Sequence, residues 1–102
     1  MSSKAEIFAS ILADVARETD VPEDVITSVS RDTEAVEARW ILVKLLNRQG
    51  FHPSGIASLV NLKKRAVNNI LSRFEDRLKT SALMTLNYKT LKSKWGGVGK
   101  EY

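Results

Sequence analysis

An all-α domain of five or six helices around a central helix-turn-helix is the fold class this sequence predicts, and three observations carry the prediction. Apolar residues recur at helical spacing in each long segment, beginning with Ile7, Ile11, Leu12 and Val15. Helix start and stop signals punctuate the chain at Ser3, Pro22, Gly50, Pro53 and the Thr80-Ser81 pair. Residues 53–72, P-S-G-I-A-S-L-V-N-L-K-K-R-A-V-N-N-I-L-S, have the spacing of two helices crossing steeply about a tight turn.

Each element follows from local signals. Ser3-x-x-Glu6 is a capping box, which starts a first helix near Lys4, and the stripe from Ile7 to Val15 carries it to Thr19-Asp20. Pro22 opens a short second helix through Val25 and Ile26. Glu23 and Asp24 stand in its first turn, where the helix dipole favours acids, and this explains the carboxylate pair without catalysis or a metal. Residues 27–31 read as a loop. Asp32 or Thr33 then caps a long third helix to about Gln49, with Gly50 as its left-handed stop. Val36, Ile41, Leu42, Leu45 and Leu46 are expected to face the core, and Trp40 its edge.

The helix-turn-helix is the most constrained stretch. Pro53 suits the first helical position, because its φ is fixed and its missing N–H has no partner there in any case. Ile56, Leu59 and Val60 give the first helix its apolar face, and Ala57 is small enough to let the two backbones approach. Asn61 stands at the turn, where a left-handed backbone is required and asparagine tolerates it. Leu62, Val67, Ile70, Leu71 and Phe74 form the buried stripe of the second helix. Lys63, Lys64, Arg65, Asn68, Asn69, Ser72 and Arg73 fall on its polar face, and its first turns are what a recognition helix presents to the major groove. Asparagine pairs bidentately with adenine, arginine and lysine with guanine, and any of the cations holds a phosphate. Downstream, Thr80 or Ser81 caps a last helix to about Lys94. Leu83, Leu86 or Met84, and Leu91 are expected inside it; Lys89, Lys92 and Lys94 lie outside, within reach of phosphates. Trp95 is expected to fold back onto the core as that helix ends at Gly96.

Size and charge set the class. With 102 residues, 43% hydrophobic and 27% charged, the chain has the composition of one globular domain with a modest core, not of a disordered segment. Residues 1–95 are expected to form that domain and 96–102 a flexible tail. No apolar run approaches the length of a membrane span, and the N-terminus lacks a signal-peptide core. Absence of cysteine removes disulfides, thiolate metal sites and cysteine nucleophiles, and a cytoplasmic location is expected. Residues 1–50 hold 6 Lys/Arg and 9 Asp/Glu, a balance of −3; residues 51–102 hold 10 and 3, a balance of +7. The half that contains the polar reading face is therefore the basic half, which suits a polyanion whose counterions are released on binding. A membrane surface is disfavoured, since no segment joins a basic face to an exposed bulky apolar one.

From Ser30 to Phe74 the pattern resembles the C-terminal DNA-binding domain of the bacterial replication initiator DnaA, a Trp-repressor-like helix-turn-helix. The residues that carry the resemblance are Arg31 in a loop, Ala38-Arg39, the apolar run 41–46, Gly50, Ile56-Ala57 and Val67, in that order. The two preceding helices also fit, so it covers about residues 6–94. Where the family has Asp-His-Thr-Thr before the valine, this chain has Lys63-Lys64-Arg65-Ala66, and the turn is one residue shorter. The resemblance implies a duplex-DNA partner and leaves the target sequence open. It also implies that Arg31 reaches the minor groove or backbone beside the element read by Lys64, Arg65, Asn68 and Asn69, and it adds Arg39 to the candidate DNA-binding residues. The family's ATPase has no counterpart here: there is no Gly-x-x-x-x-Gly-Lys-Ser/Thr run, and the glycines around residues 96–99 have the wrong spacing.

Catalysis has little to stand on. His52 is the single histidine, without histidine or cysteine companions for a metal, and the serines lack an orienting base. The chain is therefore expected to be no enzyme, with no cofactor and no small-molecule substrate. The expected function is sequence-specific binding of double-stranded DNA, in replication initiation or its regulation, at the nucleoid. The alternatives are a dimeric transcriptional repressor, with the first or last helix at a symmetric interface, and a helical protein-interaction module with an acidic partner. Monomer and dimer remain open.

Overall fold

The computed structural model describes residues 3–95, all of whose regular structure is helical: α1 (Lys4–Thr19), α2 (Glu23–Ile26), α3 (Thr33–Arg48), α4 (Pro53–Val60), α5 (Lys64–Leu78) and α6 (Ala82–Trp95). The tail assigned to residues 96–102, with its glycines, lies outside the described residues. The punctuation works as the local chemistry requires. Ser3 Oγ accepts from the Glu6 N–H at 3.2 Å while Glu6 Oε1 accepts from the Ser3 N–H at 3.0 Å. Asp20 closes α1 in the left-handed region at φ 58°. Asp32 stands at the start of α3 without a side-chain cap bond. Gly50, at φ 94°, donates to the Asn47 carbonyl and Phe51 to the Leu46 carbonyl, both at 3.0 Å, a paired closure that a left-handed glycine permits and that buries Phe51. Of the two candidates for starting α6 it is Ser81 that caps, accepting from the Met84 N–H at 3.1 Å and donating to Glu37 Oε1.

Helix α3 is the hub, packed against all five others. From Ile41 to Asn47 only Lys44 escapes full burial, because neighbours on every side leave the helix no solvent stripe. Trp40 lies at the core edge as expected, with the Arg77 guanidinium 5.1 Å from its ring centroid. Val36 does not join the core: it is half-buried, and the inner positions of the first turns belong to Ala35 and Ala38. In α6, Leu91 and the alternative Met84 are buried as expected, and Tyr88 completes the inner row, edge-on to Phe74 at 4.7 Å. Leu83 and Leu86 face outward instead, 59% and 60% exposed.

The C-terminal end of α6 is tied to α1 through one carboxylate. Asp14 accepts from Lys94 Nζ at 2.8 Å and from the Trp95 indole N–H at 2.9 Å, and pairs with Arg17. Gln49 donates to the Trp95 carbonyl, so Trp95 does fold back. Lys94 lies on the outside as expected, with its ammonium engaged by Asp14. Burial pushes the Asp14 carboxyl up, but the hydrogen bonds from Lys94 and Trp95 and the charges of Lys94 and Arg17 outweigh it and hold the group below the ordinary carboxylate range. A folded-state value below the unfolded one contributes stability that is present above that range and lost as pH falls through the folded value. Asp14→Asn is accordingly expected to lower stability at neutral pH by about 1–2 kcal/mol and to flatten the loss below about pH 4. Urea unfolding at pH 7 and pH 3 measures both; parallel pH dependence in the two proteins would contradict this account.

Candidate nucleic-acid interface

Helix α4 starts on His52, whose Nδ1 accepts from the Ser54 N–H at 3.2 Å, with Pro53 as its first helical residue. Ile56, Ala57 and Val60 are buried, and Asn61 ends the helix at φ 58° with its N–H bonded to the Ala57 carbonyl. Three residues separate α4 from α5. On α5, Val67, Ile70 and Phe74 are buried and Leu71 is half-buried, at spacings of three and four that make one continuous stripe. A helix with a narrow buried stripe must present the rest of its circumference outward.

That outward face carries Lys63, Lys64, Arg65, Asn68, Asn69, Ser72 and Arg73, every one of them exposed. No ion pair among the described residues engages the four cations, so their charge is not internally neutralised. Lys63 precedes the helix in extended conformation and gives no side-chain cap, which leaves the first N–H groups of α5 available to an anion. Ser72 Oγ donates back to the Asn69 carbonyl at 3.0 Å, as an exposed helical serine commonly does.

Beside the start of α5 lies the loop 27–32, with Arg31 exposed on it. The loop is held from two directions. Asn61 Nδ2 donates to the Thr27 carbonyl at 3.3 Å, linking loop to turn. From inside, Arg39 Nε donates to the Ile26 carbonyl at 2.8 Å, and Nη2 to the carbonyls of Ser30 at 3.0 Å and Val25 at 3.5 Å. Burial pushes the Arg39 guanidinium below its usual value, yet three carbonyl partners satisfy it. At 7% exposure Arg39 lies beneath the surface and shapes the loop that carries Arg31, which makes it a bracing residue of that loop. Its helix neighbours Ala35, Ala38, Leu42 and Val43 are apolar, but this is a weak signal, since an arginine on such a surface ordinarily snorkels its charge to water.

No family model, curated protein or solved structure matches this chain. Its function is therefore argued from the geometry of this face. Lys89 and Lys92 on α6 are exposed, and Lys92 sits 5.9 Å from the Tyr88 ring centroid. Among the described residues there is no group of three or more His, Cys, Asp or Glu placed to hold a metal ion, and no helix is long and apolar enough to cross a membrane.

Two features escaped the sequence reading besides Arg39. Asn61 acts through its side chain as well as its backbone, and a shallow concavity opens at the start of α5 between the turn and the first helical residues. The tether has no sequence signal, since Thr27 is 34 positions away from Asn61.

Proposed function

We propose that the chain binds double-stranded DNA sequence-specifically, inserting the first turns of α5 in the major groove, in replication initiation or its regulation. The observation that carries this reading is the outer face of α5, where cations without an ion pair among the described residues and two asparagines line an uncapped helix start. Lys63, Lys64 and Arg73 supply phosphate contacts; Arg65, Asn68 and Asn69 reach base edges. Arg31 on its braced loop serves the adjacent minor groove or backbone, and the nucleoid is the corresponding location. The resemblance to the DnaA C-terminal domain supports the roles of Arg31, Arg65, Asn68 and Asn69, and differs in counting Lys64 with the base-reading residues.

Binding to a random-sequence duplex, followed by fluorescence anisotropy across a salt series, tests the reading. With about four phosphates neutralised, log Kd is expected to change with log salt at a slope of about 3 to 4. A flat response, or no binding at low salt, would contradict it. A second reading, the dimeric repressor, draws on the exposed Leu83 and Leu86 of α6. Sedimentation of the free protein distinguishes the two.

A further inference from the structure

The basic surface at the start of α5 has an apolar floor. At the start of α5 an open concavity of about 550 Å³ is lined by Asn61, Leu62, Lys63, Arg65, Ala66 and Asn69. Leu62 and Ala66 are only half-buried, so each leaves part of its apolar surface in the concavity after the core has taken its share. On α5, Ala66 and Asn69 are three apart and Arg65 stands four before Asn69, while Leu62 belongs to the turn just before the helix; all four line the concavity. An alanine in the middle matters sterically, because its short side chain lets the helix backbone come close to whatever Arg65 and Asn69 hold on either side. On the edges of base pairs in the major groove, the C5 methyl of thymine is the one apolar group on offer.

We propose that this concavity is a seat for a thymine C5 methyl group, with Ala66 and Leu62 as its floor and Arg65 and Asn69 as flanking polar contacts; the proposal rests on the duplex-DNA reading above. The cationic rim is complementary to the phosphates that bracket the base, and the apolar floor to its methyl. The target therefore contains a thymine next to pairs that present a guanine or adenine edge to Arg65 and Asn69. Neither the asparagines nor the lysines can read that methyl, so Ala66 determines specificity at this base.

Uracil substitution isolates the contact, since it deletes the methyl and leaves the protein and all Watson–Crick pairs unchanged. A duplex selected by the protein from a random pool is resynthesised with each thymine replaced singly by deoxyuridine, and Kd is measured for each. One position is expected to lose about fourfold in affinity, the worth of one buried methyl, with the others unchanged. In Ala66→Gln, which keeps helix propensity and fills the seat, that position is expected to bind thymine and uracil equally, with circular dichroism confirming the fold. A uniform uracil series on a tightly bound duplex would overturn the seat and leave DNA binding standing. A methyl effect that persists in Ala66→Gln would place the methyl elsewhere and overturn the assignment. No binding to any duplex would overturn the DNA reading and the seat together.

Discussion

A protein carrying Arg65→Ala and Asn68→Ala together is expected to lose about 2–6 kcal/mol of its preference for a selected duplex over random duplex, two base contacts at about 1–3 kcal/mol each. Both side chains are exposed on α5, and neither belongs to the stripe of Val67, Ile70 and Phe74 that anchors the helix. Folding stability should therefore stay within about 0.5 kcal/mol of the natural chain. The contrast is with Lys63→Ala and Lys64→Ala, which are expected to weaken selected and random duplex alike and each to reduce the salt slope by about one. Competition binding at fixed salt reads the difference directly. Unchanged selectivity in the double variant, with the fold intact, would remove Arg65 and Asn68 from the reading face.

The second large effect is on stability. Arg39→Met keeps the aliphatic length of the side chain and deletes its donors, leaving the carbonyls of Ile26 and Ser30 without the partner that now satisfies them, while the Val25 carbonyl keeps the Ser28 N–H and hydroxyl. A buried acceptor left unpaired costs about 1–3 kcal/mol. Relief from burying the guanidinium, and water reaching the exposed side of the loop, offset part of the sum, so a net loss of about 2–4 kcal/mol is expected. Urea unfolding measures it as a fall in the midpoint. Arg39→Lys is expected to recover only part of the loss, because an ammonium cannot spread its donors across carbonyls as a planar guanidinium does. In DNA binding, Arg39→Met should leave the preference carried by α5 and erase the contribution of Arg31, whose loop is no longer braced. Stability within about 0.5 kcal/mol of the natural chain would contradict the role assigned to Arg39.

What could be read from the sequence was local. The capping box at Ser3 and Glu6, the proline that opens α4, the left-handed Asn61 and the stripe of α5 are set by interactions spanning a turn or two of chain, so residue order alone specifies them. The outer face of α5 was legible for the same reason, as the complement of a well-marked stripe. The contacts that residue order did not show come from distant chain. Arg39 looked like a surface cation because its partners, two carbonyls at the end of α2 and that of Ser30 in the following loop, lie 9 to 14 positions away. Lys94 finds Asp14 across almost the whole chain. In α6 the leucines suggested an inner face through Leu83 and Leu86. Met84 and Leu91 are buried as that expectation allowed, but Tyr88 takes the place between them, since it meets Phe74 edge-on and α3 receives that row. Val36 failed on α3 because a hub helix surrounded by five others buries more than one stripe, and the phase of its first turns is fixed by the neighbours at Ala35 and Ala38.

Selection from a random duplex pool, with bound sequences amplified over successive rounds, tests the central claim most directly. Convergence on a short motif that holds a thymine beside guanine and adenine contacts is expected, with loss of that convergence when Arg65 and Asn68 are both alanine. A bound pool that stays random through every round, or one that converges identically with the double variant, would contradict that claim.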